Sequence, residues 1–180
     1  MKFNPSFRKA LKWAVSGKIG FLRYIRADFC FSAQFNPAGR LFDPALGGGA
    51  LLDVGIYPVT LAYMFAGKAK PLSLNAIFRN GVTGVDLWNK IVMAWDSGLY
   101  ADLSSSISIQ GVDALRTAII AGDRASIVLP DFWMAQKAIL LDTDGKTIEV
   151  FEFPFECNGY EYEIREVEQC ILQDKAESSV

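Results

Sequence analysis

The stretch LYADLSSSISI, residues 99–109, decides the fold class of this 180-residue chain. Its odd-numbered positions carry Leu, Ala, Leu, Ser, Ile and Ile, whereas its even-numbered positions carry Tyr, Asp and three serines. Because successive side chains of a strand point to opposite faces, this alternation predicts a strand with one packed face and one face in water. Such a strand belongs in a sheet that is covered on one side only.

Further strands are predicted on both sides of this stretch. Downstream of Gly67, branched and aromatic residues recur in short segments separated by turn sequences such as Asn80-Gly81. These segments span residues 72–79, 85–95, 115–121, 125–129, 137–142 and 146–153. Upstream, residues 21–33 alternate loosely and are rich in aromatic and branched side chains, which predicts one more strand.

A first helix is predicted over residues 5–16, because Pro5 suits a first helical position and Gly17 suits a C-terminal cap. Its apolar side chains recur at helical spacing. The predicted stripe consists of Phe7, Leu11, Ala14 and Val15.

Two more helices are predicted beyond the loop at residues 34–48, which carries two prolines and three glycines. The first spans residues 49–65 and is expected to kink or restart at Pro58, which lacks a backbone donor and crowds the preceding turn. The second is an amphipathic helix within residues 159–173. Its expected apolar face contains Tyr162, Val167 and Cys170 near Ile171.

Strands joined by hairpins, with helices before and after them, predict an α+β fold in which a largely antiparallel open sheet is covered on one face by helices. No internal repeat, low-complexity tract or linker divides the chain, so residues 1–180 are expected to form a single domain. The uncovered face of the sheet is expected to be a partner surface.

The charge balance excludes several classes of partner. The chain has 18 basic and 20 acidic residues, a formal net charge of −2, and scattered charges. This pattern predicts neither a basic face for nucleic acid nor a polybasic patch for a membrane. No uninterrupted apolar stretch approaches the ~20 residues of a membrane span, so we expect a soluble, cytoplasmic protein.

The chain contains no histidine. Histidine-dependent nucleophile activation is therefore excluded, the commonest metal ligand is missing, and proton transfer falls to Tyr, Lys, Asp, Glu or Cys. Cys30, Cys157 and Cys170 are odd in number and far apart. No disulfide framework, zinc ribbon or other metal site is predicted, and the cysteines are interpreted as buried free thiols.

The triple glycine Gly47-Gly48-Gly49 allows two interpretations. Glycines let backbone N–H groups approach an anion at a helix start, which would make Gly48 and Gly49 weak candidates for binding a cofactor phosphate. The chain has no G-x-G-x-x-G or G-x-x-x-x-G-K-[ST] sequence, however, and no Val- and Ile-rich strand directly before the glycines. The alternative is a close backbone approach to a neighbouring strand or to a ligand.

Asp53 and Tyr57 stand out in an otherwise apolar segment. They are four residues apart and share one face if the turn is helical. A carboxylate among apolar side chains must be paired, capped or functional, because burying it alone is costly. The structural alternative is that Asp53 bonds the loop backbone while Tyr57 fills the core.

The segment GGGALLDVGIY, residues 47–57, resembles the motif G-G-G-x-L-x-D-x-G-x-H of the Gfo/Idh/MocA oxidoreductase family. The last position is Tyr57, as in the dihydrodiol dehydrogenase-like branch of that family, where the others have histidine. The resemblance is specific here and extends more loosely over the run from Gly17 to Gly67, residues 114–133 and residues 158–171. It implies the glyceraldehyde-3-phosphate dehydrogenase-like C-terminal fold.

The resemblance implies roles for residues of this segment. Tyr57 would be the catalytic acid/base, and Asp53 would position the substrate and the catalytic groups. A phenol with a pKa near ~10 can serve if a nearby cation lowers that pKa. In the family the cation is a lysine of an E-K-P motif, which this sequence lacks. Arg40 is the nearest basic candidate, and it is equally consistent with a residue that braces the loop.

The resemblance also implies substrate contacts for Phe31, Trp133 and Asn158. Each has a structural alternative. Aromatic residues in a strand-rich domain usually fill the core, because they bury so much area. Asn158 precedes Gly159, and Asn-Gly is a turn signal.

By the same resemblance, the chain is the substrate-binding and dimerisation domain of an enzyme whose N-terminal dinucleotide-binding domain is missing from this sequence, as is a final helix. The implied cofactor is NAD or NADP, bound mainly by the missing domain. The implied substrate is a sugar, a cyclitol or a dihydrodiol, and a homodimer through the sheet face is implied. The chain alone is expected to be inactive.

A non-catalytic dimerisation or ligand-binding module of the same fold remains the alternative. An upstream reading frame that encodes G-x-G-x-x-G and then E-K-P would favour the enzyme, and an unrelated upstream domain would favour the module.

Overall fold

The computed structural model, which describes residues 1–178, contains one sheet of eight strands and three α-helices within that range. The strands are β1 (Leu22–Cys30), β2 (Ser73–Asn80), β3 (Asp86–Ala94), β4 (Tyr100–Ser106), β5 (Thr117–Gly122), β6 (Ser126–Pro130), β7 (Lys137–Leu141) and β8 (Thr147–Glu152). The helices are α1 (Pro5–Val15), α2 (Ile56–Phe65) and α3 (Glu161–Leu172). A π-helical turn, Leu51–Gly55, leads directly into α2.

The strand order is β2-β3-β4-β1-β5-β6-β7-β8. Every neighbouring pair is antiparallel except β1 and β4, which run parallel. That pair is parallel because the chain leaves β1, forms α2 and the β2–β3 hairpin, and only then adds β4 beside β1. The predicted α+β fold with a largely antiparallel open sheet is confirmed.

The alternating stretch at residues 99–109 forms β4 near the centre of the sheet. Leu99, Ala101 and Leu103 are at most 3% exposed, whereas Tyr100 on the opposite face is 50% exposed. The prediction that the Ser106 side chain faces water is wrong, because this side chain is buried. Its hydroxyl donates to the carbonyl of Leu87 and accepts backbone N–H groups at the end of the strand, so it terminates the alternation.

Helix α1 begins at the predicted residue, ends one residue before the predicted end, and buries most of the predicted stripe. The side chain of Asn4 caps it by accepting from the N–H of Phe7 at 3.0 Å. Phe7, Ala10 and Trp13 are buried, whereas Val15 is 81% exposed. The predicted stripe is therefore wrong only at Val15, whereas Leu11 and Ala14 pack against the core beside Phe7.

The helix predicted for residues 49–65 changes geometry before Pro58, not at it. The π-helical turn ends at Gly55, and Pro58 falls in the first turn of α2, where no backbone donor is required. A Cβ on Gly55 would lie 2.8 Å from Ser105 Oγ, so the glycine lets this turn approach β4 closely.

The helical stretch Pro44–Phe65 has 22 residues and is long and apolar enough to cross a membrane by length and composition. It is not an uninterrupted apolar run, because Asp53 lies within it. One such helix is weak evidence for a membrane, because a core helix passes the same test. Pro58, Leu61 and Ala62 are buried against the rest of the protein, as expected of a core helix.

Helix α3 buries only Tyr162 of its predicted apolar face. Val167 and Ile171 are more than half exposed. All three cysteines are free, but the prediction of buried thiols is correct only for Cys30, because Cys157 lies exposed in the turn before α3. Cys170 is half-buried.

Candidate functional site

A cavity of about 460 Å³ lies on the helix-covered side of the sheet, where β1 ends and the π-helical turn meets α2. Its lining includes five of the residues singled out in the sequence: Phe31, Asp53, Tyr57, Trp133 and Asn158. These residues come from four separate parts of the chain, so only the folded protein brings them together. The cavity is the candidate active site.

The entry to α2 is held in place by strand β3. Asp86 Oδ2 accepts the N–H of Leu51 at 2.9 Å and the side-chain amide of Asn89 at 2.8 Å. A carboxylate at this position satisfies a backbone donor of the helix start and opposes the positive end of the helix dipole. It therefore fixes the turn that carries Asp53.

The amides of Gly48 and Gly49 are engaged within the protein. Gly48 donates to the carbonyl of Asp43 at 3.0 Å and Gly49 donates to that of Leu41 at 2.9 Å. A Cβ on Gly48 would lie 2.8 Å from the Leu41 oxygen, and one on Gly49 would lie 2.3 Å from Asp86 Oδ1. This geometry favours close backbone approach over the phosphate contact predicted for these two glycines, because neither N–H is free.

Arg40 is the partner of Asp53 and not of Tyr57. Its Nη1 lies 2.6 Å from Asp53 Oδ1, and the Asp53 side chain is only 15% exposed. Arg40 itself is 64% exposed and does not line the cavity. The ion pair therefore braces the long loop against the π-helical turn and neutralises a carboxylate that faces the cavity.

Tyr57 is half-buried, with its ring packed against Phe29 at a centroid distance of 5.6 Å. Burial raises the pKa of the Tyr57 phenol above its usual value of 10.0, and the nearby Tyr160, Asp53 and Glu163 raise it further. No Lys or Arg side chain of residues 1–178 lines the cavity. The phenol is therefore protonated at neutral pH in this chain, and a base role would need a cation close enough to lower its pKa.

The wall of the cavity is aromatic. Phe29 stacks on Trp133 with ring centroids 3.6 Å apart and an interplanar angle of 15°, and Phe31 lies next to Phe29 at 6.5 Å. Sequence reasoning found Phe31 and Trp133 but missed Phe29 and several other lining residues. The others are Met1, Asn4, Val54, Met134, Phe155, Gly159, Tyr160 and Glu163. The spacing of two between Phe29 and Phe31, which is typical of one strand face, was the available signal.

Asn158 lies in the turn between β8 and α3, which closes one end of the cavity. Its side-chain oxygen accepts the N–H of Tyr160 at 3.2 Å, so Asn158 both stabilises the turn and lines the cavity.

Within residues 1–178 no group of three or more Cys, Asp or Glu side chains could hold a metal ion.

Curated relatives are trans-1,2-dihydrobenzene-1,2-diol dehydrogenases. The human protein is 28% identical over 184 residues, which covers 99% of this chain and 54% of that protein. The Xenopus laevis protein is 29% identical over 185 residues, with the same two shares. The chain therefore spans about half the length of the curated relatives it matches.

Solved structures share the fold. Aldose-aldose oxidoreductase from Caulobacter crescentus, complexed with glycerol, superposes with a TM-score of 0.84 at 21% identity and covers 99% of this chain and 53% of that one. The 3-ketoreductase KijD10 from Actinomadura kijaniata, in complex with NADP and TDP-benzene, has a TM-score of 0.78 at 21% identity, with 96% and 52% covered.

The family model for the GFO/IDH/MocA C-terminal domain matches residues 7–128, which include β1 to β5, α2 and the π-helical turn with Asp53. This match covers more than half of the chain and contains the segment that carries Tyr57. The chain belongs to the GFO/IDH/MocA oxidoreductase family, whose C-terminal domain it represents.

Proposed function

We propose that this chain is the substrate-binding and proton-transferring half of an NAD(P)-dependent oxidoreductase that interconverts a ring hydroxyl and a carbonyl. The observation that carries the proposal is the cavity in which the Tyr57 phenol and the Asp53–Arg40 pair lie beside an aromatic wall. The relatives named above are oxidoreductases that share this domain.

Within this proposal, Tyr57 moves the proton. Oxidation of a hydroxyl to a carbonyl requires that the hydroxyl proton be removed from the substrate oxygen. Reduction of a carbonyl requires that a proton be added to that oxygen. The raised pKa of the phenol favours its protonated form, which suits donation to a carbonyl oxygen. For the oxidation direction a cation must lower that pKa, and the family resemblance implies a lysine of an E-K-P motif in another domain.

The cofactor would be held chiefly outside this chain. The Gly48 and Gly49 amides are already bonded, so among residues 1–178 the glycine segment does not form a phosphate cradle. When bound, NAD or NADP would supply or accept the hydride. Residues of this chain would hold the substrate ring against Trp133 and keep its oxygen near Tyr57.

The aromatic wall favours a cyclic substrate with one apolar face, such as a dihydrodiol, over a sugar or cyclitol. Phe29, Phe31 and Trp133 offer flat apolar surface, whereas Asn158 and Glu163 offer polar groups for hydroxyls. Aromatic contacts of this kind contribute about 0.5–1.5 kcal/mol beyond the area they bury.

The experiment joins this domain to its dinucleotide-binding domain and compares turnover of a trans-dihydrodiol with that of an aldose. We expect the dihydrodiol to have the higher kcat/KM. Trp133→Ala should reduce that preference about 2- to 10-fold, because a stacking contact is lost. Trp88→Ala, on the opposite face of the sheet, is the control. Absence of turnover with both substrates would support the non-catalytic module instead.

We also propose that the uncovered face of the sheet pairs with a second copy of the chain. Aligned positions of four neighbouring strands carry Ile119, Val128, Ile139 and Val150, and together they form an apolar row. No helix of residues 1–178 covers this row, and a contiguous apolar patch in water marks an interface.

The free thiols fit a reducing compartment, so we propose a cytoplasmic location.

Sedimentation equilibrium tests the pairing. The wild-type chain should sediment with twice its mass, and Val128→Glu should sediment as a monomer, because a charge in the apolar row would be desolvated without a partner. Val82→Glu is the control, since Val82 is 92% exposed in the β2–β3 turn. A monomeric wild type, or a dimeric Val128→Glu variant, would contradict the pairing.

A further inference from the structure

The turn between β8 and α3 is organised around a single carboxylate, that of Glu161. Its Oε1 accepts the N–H groups of Glu156 at 3.0 Å and Cys157 at 3.2 Å. Its Oε2 accepts those of Asn158 at 3.2 Å and Gly159 at 2.6 Å. Four consecutive amides thus converge on one side chain, an arrangement that elsewhere holds a bound anion.

This carboxylate stays ionised over the whole physiological pH range. Desolvation by itself would raise the pKa of Glu161, but the backbone N–H donors outweigh it and lower the pKa to about 2. A neutral carboxamide could not replace it, since its NH₂ group would face N–H donors instead of accepting from them.

The turn that Glu161 holds forms one wall of the cavity. Phe155, Asn158, Gly159 and Tyr160 line the cavity, although Glu161 itself does not. Gly159 has a φ of 90°, and a Cβ there would lie 3.0 Å from the Phe155 ring. The ring therefore packs onto the glycine backbone only while the turn keeps this conformation.

We propose that Glu161 is a positioning residue for the substrate: by collecting the four amides it holds Asn158 and Tyr160 at the cavity in a conformation that receives the substrate ring. This inference rests on the proposed function, because a wall without a substrate has nothing to position. It assigns to Glu161 an effect on binding and not on proton transfer, which remains with Tyr57.

The test uses Glu161→Gln in the complete two-domain enzyme, with Glu168→Gln as the matched control on the exposed side of α3. We expect KM for the dihydrodiol to rise about 10-fold or more, because charge-assisted hydrogen bonds that hold the wall are lost. The value of kcat should stay within about two-fold, since the proton-transferring group is intact. Glu161→Asp keeps the charge and should restore part of the KM.

Hydrogen exchange of the amides of residues 156–159 provides the second readout. They should exchange at least about 10-fold faster in Glu161→Gln than in Glu168→Gln, while amides of the sheet stay unchanged. If Glu161→Gln exchanged these amides faster but kept the wild-type KM, the inference would be overturned. It would also be overturned if the variant lost kcat to the same degree as its KM rose and had a lower Tm, because the effect would then be general destabilisation. A wild-type enzyme without turnover would instead overturn the proposed function.

Discussion

Replacing Tyr57 by Phe is expected to lower the kcat of the complete two-domain enzyme by about 100- to 10,000-fold, the usual effect of losing a general acid/base. The phenol hydroxyl is the only group removed, and the ring would keep its packing against Phe29. Cofactor affinity should change little, because the cofactor is held chiefly by another domain in our proposal. Steady-state kinetics and a cofactor titration measure the two effects separately.

Tyr63→Phe is the matched control for this substitution. Tyr63 lies on the same helix, is 44% exposed and does not line the cavity, so its loss of a hydroxyl should leave kcat unchanged. If Tyr57→Phe turned over as fast as the control, Tyr57 would serve only in packing. A shift of the pH profile without a loss of kcat would also contradict its role as the proton-transferring group.

Replacing Phe7 by Ala is expected to lower the free energy of unfolding by about 3–5 kcal/mol, the usual cost of removing a buried phenyl ring. Phe7 is fully buried and meets Phe65 of α2 edge-on at a centroid distance of 5.7 Å. The substitution would leave a cavity between α1 and α2, because neither helix can move without unpacking the other from the sheet. Urea unfolding of the chain measures the loss.

Phe78→Ala is the control for the packing experiment. Phe78 is 63% exposed on the edge strand β2, so its removal should change the free energy of unfolding by no more than about 0.5 kcal/mol. Equal losses for the two variants would mean that α1 contributes no more to stability than a surface strand.

Most of the fold could be predicted from the sequence. All eight strands occur close to their predicted positions, because period-two alternation and turn residues are local signals. The exact rotation of α1 could not be predicted as well, although Phe7, Leu11 and Ala14 do pack against the core. Several rotations of that helix place apolar residues on one side, and the sheet selects the one that buries Trp13 and exposes Val15.

Only part of the candidate site could be predicted from the sequence. Asp53 and Tyr57 stood out because polar groups in an apolar segment need a physical reason. Phe29 and Glu161 did not stand out: aromatic residues are common in strands, and an acidic residue at a helix start is ordinary. Their importance depends on neighbours that lie far away along the chain or across a turn.

The sequence by itself determined the α+β class, the helix that carries Asp53 and Tyr57, and the exclusion of histidine chemistry, because composition and short-range periodicity suffice for these. Only the tertiary structure decided that Arg40 pairs with Asp53, that the Gly48 and Gly49 amides are already bonded, and that Trp133 stacks on Phe29. Each of these depends on the distance between segments that the chain must fold to bring together, and local patterns carry no information about such distances.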